Sequence, residues 1–377
     1  MRLRRLTLLL PLLLTGAQHH QGTEFSALVE RLSESGGYFD SDNLVSNETS
    51  YLHVLGALRR EGVRGGAYLG VGPEQGFSYI AEIQPEVAFI VDVRRDNLLL
   101  HLLFKAMFLA ARNRVEYLSL LYGRPAPPNL DEWDDATLDQ VLLYVDAVRP
   151  DSAHHARTHQ RLMDRVARFG VPLSAEDRAT LQRFHDEFAS SGLDLRYRSR
   201  GRPVRRSYPS ARELYAATDL DGQPGSYLAS EDRFRVVQAL QRRDRVVPVV
   251  GDLAGPKAVR AIGDWLREQG QEVSLFYLSN VEFYLYRSDT FGAFVANVRT
   301  LPARESSVLV RSLFNRSFLH PNWVPGNLSI QLIQRWPAFL AYTADPARTS
   351  YWGLTGEAEH LPLRPPAPAP PDSIPPP

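Results

Sequence analysis

The chain has no cysteine. That excludes disulfides, thiolate metal sites, a cysteine nucleophile and a lipoprotein anchor, while leaving the redox compartment open. Lysine is nearly absent, with Lys105 and Lys257 the only two, so arginine carries almost all the positive charge. An excess of either sign is missing too, since 43 Lys and Arg offset 43 Asp and Glu. Such a chain carries no strong nucleic-acid signal, because nonspecific affinity comes from neutralising phosphates. No G-x-S-x-G elbow, Walker loop or H-E-x-x-H helix occurs. The common hydrolase, nucleotide triphosphatase and metalloprotease chemistries therefore lack their signatures. Nor is any apolar run long enough to remain in a bilayer as a span.

The 377 residues, 44% hydrophobic and 23% charged, have a globular composition. They suit one large α/β domain with insertions, or two smaller ones. Near the start, Arg2, Arg4 and Arg5 precede a short apolar run over 6–14 and then Thr15-Gly16-Ala17. This is the layout of a secretory signal, and it predicts an exported protein, periplasmic or extracellular. If the segment is instead an overextended start, the protein is cytoplasmic.

The densest information lies between residues 65 and 92. An apolar run over 67–71 enters the turn Gly70-Val71-Gly72-Pro73-Glu74-Gln75-Gly76, a helix is expected over 75–83, and a second apolar run ends in Asp92. A strand, a tight loop, a helix and a second strand prepare an α/β sheet for an adenosine-containing cofactor. Gly70 and Gly72 allow a sharp turn and close approach of backbone to ligand, and the following helix points free N–H groups at the site. Asp92 lies 20 residues beyond Gly72, where a carboxylate can accept from ribose hydroxyls. The spacing is G-x-G-x-x-x-G and not the dinucleotide G-x-G-x-x-G, which disfavours a nicotinamide cofactor. A purely structural turn stays open.

Ahead of this unit, 25–32 reads as a short amphipathic helix and 43–60 as a helix with a capping signal at Ser46-Asn47. After it, 97–112 is a strongly apolar helix, and periodicity leaves 116–121 open between helix and strand. Pro125, Pro127 and Pro128 break the pattern. From 130 to 243 the chain reads as helices, with an Arg-rich loop over 196–206. Alternation then resumes, with strands over 245–250, 272–278, 307–313 and 328–333 and helices over 256–269 and Phe291–Val298. The expected organisation is a signal-like segment 1–22, a doubly wound Rossmann-like sheet built from 23–124 and 245–362, and a helical insertion 125–244 between them. The proline-rich tail 363–377 cannot bury a core and is expected to be extended or disordered.

Four strand-end segments carry a resemblance. Leu69-Gly70-Val71-Gly72, Ile90-Val91-Asp92, Val250-Gly251-Asp252 and Phe276-Tyr277-Leu278-Ser279-Asn280 resemble the successive motifs of class I S-adenosylmethionine-dependent methyltransferases. With Asp40-x-Asp42-Asn43-Leu44-Val45-Ser46-Asn47-Glu48 ahead of them, the pattern is similar to an uncharacterised bacterial family thought to share that fold. The resemblance covers 39–124 and 245–313 and leaves the helical middle out. It implies S-adenosylmethionine as cofactor, with Gly70 and Gly72 at its methionine end and Gln75 in the same binding set. Asp92 would bind ribose, Asp252 would contact the adenine amine, and Asn280 would line the substrate pocket. For a poorly nucleophilic acceptor, Glu282 or Glu48 is the candidate general base.

The function implied is methyl transfer to an unknown acceptor. The alternative is a catalytically inactive, exported binding or structural protein that retains the fold. Fold alone does not establish activity, and S-adenosylmethionine is made in the cytoplasm.

Four further constellations each carry two readings. Arg94 and Arg95 can clamp a phosphate or sit solvated at a helix start. Ser46-Asn47-Glu48 can be a cofactor-side loop or a helix N-cap with an acid in its first turn. His154, His155 and His159 contain an i, i+4 pair able to chelate, but no third ligand follows at a sensible spacing, so no metal is expected. The Arg-rich loop, with Tyr197 and Tyr208, can bind phosphates and stack on a base, or be a solvated loop.

Overall fold

The computed structural model describes residues 23–314 and 320–364, so the signal-like segment and nearly all of the proline-rich tail lie outside the described residues. Six strands form one sheet: β1 (Ala67–Gly70), β2 (Val87–Asp92), β3 (Val246–Val250), β4 (Val273–Tyr277), β5 (Ala303–Phe314) and β6 (Ser329–Arg335). Their order is β3-β2-β1-β4-β5-β6, with the first five parallel and β6 antiparallel to β5. The chain is an α/β protein with a mostly parallel sheet, compatible with a Rossmann-like fold.

Burial explains why these segments are strands. Strands β1, β3 and β4 are buried at every position, and β2 at all but Asp92. Continuous apolar runs of this kind belong to parallel strands covered on both faces. Pro248 lies in β3 at the sheet edge, where a missing N–H is tolerated.

Helix α1 (23–32) comes first. It is followed by α2 (Leu55–Arg60), α3 (Gly76–Ile83) between β1 and β2, and then α4 (Arg95–Ala110) and α5 (Arg114–Leu121) after β2. The segment leading to β3 holds α6 (Leu138–Ala147), α7 (Ser152–Ala167), α8 (Ala175–Ser191), α9 (Ala211–Tyr215) and α10 (Glu231–Arg242). Helices α11 (Ala258–Glu268), α12 (Val281–Arg287), α13 (Phe291–Val298), α14 (Trp336–Tyr342) and α15 (Tyr351–Gly356) complete the set. Helix α4 packs on β2 and β3 and also on α7, α8 and α10. Every residue of it from 97 to 108 is buried, and a helix apolar on all faces must be covered on all faces. The helical middle therefore shares one core with the sheet, with Phe104 against Phe188 and Phe108 against Phe234. Among the described residues, no helix is long and apolar enough to cross a membrane.

Two local expectations resolve differently. Residues 114–121 are helical, and Asn113 starts them by accepting from the Glu116 N–H. The helix expected over 43–60 begins only at Leu55, after a 3-10 turn over Tyr51–Val54. Ser46 Oγ accepts from the Glu48 N–H at 3.1 Å and closes a local turn instead of capping a helix. Asn43 has φ 51°, and Glu48 is drawn to β5 and β6 by hydrogen bonds. Tertiary bonds here override a weak local propensity.

Candidate functional site

The parallel strands bring their C-terminal ends side by side. Gly70 pairs with both Ile90 and Tyr277, and Asp92 pairs with Val250. From β1 the chain builds outward through β2 and β3, then returns to the other side of β1 with β4. Such a reversal leaves a crevice beyond the strand ends. A cavity of about 670 Å³ lies there, within the range of small-molecule sites. Glu48, Gly72, Gln75, Asp92, Asp252 and Asn280 all line it. Gly70 and Glu282 do not.

Gly70 is buried beneath the loop. A Cβ there would stand 2.2 Å from the Tyr68 hydroxyl, and one at Gly76 would stand 3.0 Å from it. Two of the loop's glycines thus make room for a buried ring. That hydroxyl has no hydrogen-bond partner among the described residues, and burial pushes its pKa well above the ordinary value. Gly72 has another task. Its φ of 86° suits glycine alone at low cost, and its carbonyl lies 3.0 Å from His101 Nε2. A carbonyl only accepts, so Nε2 carries the proton, and burial lowers the ring's pKa to about 4 and keeps it neutral. Gln75 Nε2 donates to the Tyr277 hydroxyl at 3.4 Å, while Gln75 Oε1 is buried with no partner among the described residues. The oxygen is enclosed as well as unpaired, so Gln75 meets the cavity with the rest of its side chain.

Asp92 is already engaged. Its Oδ1 accepts from the Arg94 backbone N–H at 2.9 Å and from Nε at 3.1 Å, and its Oδ2 accepts from Nη2 at 2.8 Å. Arg94 Nη1 donates to the carbonyls of Ser41 and Asp42 at 2.7 and 2.8 Å. With its guanidinium 4% exposed and bonded on all three nitrogens, Arg94 has little left to clamp a phosphate. Arg95 turns away to Asp177 at 2.9 Å and to the Pro172 carbonyl. Asp252 is exposed; its Oδ1 accepts from the Ala254 N–H at 2.9 Å. Its own N–H donates to Glu34 Oε1 at 2.9 Å, and Glu34 Oε2 accepts from Lys257 N–H ahead of α11. Glu34, from the segment after α1, therefore fixes the turn that presents Asp252.

Glu48 is fully buried, and its donors are all neutral. Oε1 accepts from Ser279 Oγ. Oε2 accepts from Tyr277 Oη at 2.5 Å, Ser312 Oγ at 2.5 Å and Gln331 Nε2 at 3.1 Å. The short O–H contacts are of the kind made to a carboxylate. One side chain ahead of β1 thus ties together β4, β5, β6 and the loop that carries Asn280. Glu282 opens α12 but faces Arg311, whose Nε donates to it at 2.6 Å, both side chains being buried. Burial raises the Glu282 pKa against the opposing pull of Arg311. Of the two candidate bases, only Glu48 reaches the cavity.

Sequence reasoning left the Arg-rich loop open, and it forms a wall of the cavity through Tyr197. The loop is pinned there. Arg200 donates to Asp42 at 2.7 Å and to Asp96 at 3.0 Å, Arg183 reaches Asp42 at 2.5 Å, and Ser199 bridges Ser41. Burial is the largest influence on Asp42 and raises its pKa, but Arg200 and Arg183 together outweigh it and hold the carboxyl below its usual range. Asp42 and Arg200 are 158 positions apart, so no local pattern could have joined them. The histidines serve helix packing: His155 Nε2 meets Asp186 at 2.7 Å, and His159 Nδ1 lies 3.1 Å from His185 Nδ1. Among the described residues, no group of three or more His, Asp or Glu could hold a metal ion.

Residues 43–125 and 175–355 match the DUF7790 family, a domain of unknown function. The chain belongs to the DUF7790 family. The matched DUF7790 segments contain all six strands and every cavity residue singled out from the sequence, whereas 126–174, with α6 and α7, lies outside them. No curated protein matches the chain.

Proposed function

We propose that this member of the DUF7790 family is an S-adenosylmethionine-dependent methyltransferase built on a doubly wound sheet. The observation that carries the proposal is convergence. Gly72 and Gln75 after β1, Asp92 at the end of β2, Asp252 after β3 and Asn280 after β4 line one cavity where the strand order reverses. These residues come from four separate segments, which the parallel sheet and its reversal of strand order bring to one hollow. The lining fits such a cofactor: Gly72 brings backbone close, Asp252 presents an exposed carboxylate, and three carboxylates against Arg94 and Arg287 leave the wall net negative, which suits a cationic sulfonium. When bound, the cofactor would supply a methyl group on an activated sulfur. The protein's task is then chiefly to position the acceptor, with Asn280 and Glu48 on the wall it would approach.

Calorimetric titration of the full chain tests this. Saturable, one-to-one binding of S-adenosylmethionine and S-adenosylhomocysteine is expected, with no binding of NAD and with weakened binding in Asp252→Ala. Absence of binding at millimolar ligand would sink the proposal.

One observation favours the competing reading of an exported protein that keeps the fold without the activity. Arg94 already takes most of the hydrogen-bonding capacity of Asp92. The signal-like N-terminus supports export. Sequencing the N-terminus of protein recovered from fractionated cells separates an exported form from a cytoplasmic one.

A further inference from the structure

A second hollow of about 620 Å³ adjoins the cavity, and the two share Asn47, Tyr197, Asn280 and Tyr284. Their linings differ. Three carboxylates, Glu48, Asp92 and Asp252, line the first together with Arg94 and Arg287. Among the described residues no carboxylate lines the second, whose charged groups are Arg202 and Arg205.

Both arginines are poorly neutralised. Arg202 lies 3.8 Å from Asp40, with the two side chains 65% and 46% exposed, a contact of little strength in water. Arg205 forms no ion pair among the described residues, and its guanidinium stands 5.7 Å from the Tyr208 ring centre. Most of the remaining lining is aromatic, with Asn47, Ser199, Ser207, Asn280 and Leu328 between the rings. Phe283 meets Tyr284 and Tyr351, and Tyr351 meets Trp352, at centroid distances of 5.5, 5.4 and 5.1 Å. Tyr284 and Trp352 are 41% and 53% exposed, so large apolar faces stand open beside two available cations. Adjacent open rings and under-neutralised guanidiniums match a ligand that is flat on one part and anionic on another.

We infer that this hollow binds a planar aromatic molecule carrying an anionic group, with its ring against Tyr284 and Trp352 and its anion on Arg202 and Arg205. Naming this molecule the methyl acceptor rests on the function proposed above, whereas its binding does not. The shared wall makes the assignment geometrically direct, because Asn280 and Asn47 would stand between the contents of the two hollows. The volume suits a small molecule of this kind.

The test is calorimetry on the full chain without cofactor, with two anionic rings as probes: 4-hydroxybenzoate for a carboxylate and uridine monophosphate for a phosphate. Phenol supplies a ring without charge, and inorganic phosphate a charge without a ring. At least one anionic ring is expected to bind saturably, and phenol and inorganic phosphate at least about tenfold more weakly. Arg202→Ala with Arg205→Ala should weaken that binding by about tenfold or more, and Trp352→Ala should weaken it separately. These side chains are exposed, and an unchanged urea midpoint checks that each variant folds. The inference is overturned if neither anionic ring binds at about 10 mM, if phenol binds as tightly, or if the arginine pair can be removed without effect. S-adenosylhomocysteine is titrated into the same samples. Its binding without ring binding overturns this inference alone, and ring binding without it overturns only the methyl-transfer proposal.

Discussion

Arg94 holds Asp92 through its own N–H, Nε and Nη2, and with Nη1 holds the carbonyls of Ser41 and Asp42. The end of β2 is thereby tied to the segment that pins the Arg-rich loop. Both partners are largely buried, with side chains 12% and 4% exposed. Asp92→Ala leaves a buried guanidinium without its counter-charge and is expected to cost about 3–5 kcal/mol. Asp92→Asn keeps an oxygen for Arg94 and should cost less. Urea denaturation measures both. Equal stability of wild type and Asp92→Ala would show that Arg94 finds another partner.

Glu48 is predicted to be a stability residue as well as a cavity residue. Glu48→Ala strands the hydroxyl donors of Tyr277, Ser279 and Ser312, while Gln331 keeps its bond to Ser312 at 2.7 Å. A loss of at least about 3 kcal/mol is expected, since each unsatisfied buried group costs about 1–3 kcal/mol. Glu48→Gln, which retains one acceptor oxygen, should lie between. Thermal melts of the two variants rank them, and an Ala variant as stable as wild type would contradict the network.

The glycine loop has a testable steric cause. Gly70→Ala forces a methyl group onto the Tyr68 ring, whose hydroxyl would lie 2.2 Å away, at an expected cost of about 1–3 kcal/mol. Tyr68→Phe does the reverse by deleting a buried hydroxyl that has no partner among the described residues. It should leave stability unchanged or raise it by up to about 1 kcal/mol. A large loss in Tyr68→Phe would mean that the hydroxyl is bonded in solution.

Glu74, one residue before Gln75, gives a pH prediction. Burial pushes its pKa to about 8, partly offset by the hydrogen bond that Tyr215 donates at 3.0 Å. An unfolded glutamate loses its proton near its ordinary value of 4.5, so between that pH and about 8 the folded state holds the extra proton. Stability should therefore fall as pH rises through this window and level off above it. The loss attributable to Glu74 is on the order of 5 kcal/mol. Glu74→Gln keeps an acceptor for Tyr215 and removes the titration. Urea midpoints at pH 5 and pH 9 should differ less in the variant than in wild type. An unchanged difference assigns the pH dependence to other groups.

Legibility from sequence divided by the range of the interaction. The unit from β1 to Asp92 could be read directly, because buried parallel strands are continuous apolar runs and a tight turn demands glycine. The second half of the sheet was legible for the same reason. The strand period places Tyr68 and Gly70 on one face of β1, and the structure adds that the Tyr68 ring lies over Gly70 and reaches Gly76. The helix expected over 43–60 is missing before residue 51, where Glu48 answers to Ser312 and Gln331, which lie 264 and 283 positions away.

Composition and short-range patterning are enough for the α/β class, the strand-end positions of Gly72, Asp92, Asp252 and Asn280, and the absence of thiol chemistry. Which candidates meet in one cavity is a matter of long-range packing. It put Glu48 there and turned Glu282 to Arg311, gave Asp92 to Arg94, and made the Arg-rich loop a wall shared by two hollows, one of mixed charge and one lined by arginines without carboxylates. Those outcomes depend on which distant carboxylate, guanidinium or hydroxyl satisfies each buried polar group, and that pairing leaves no periodic mark on the chain.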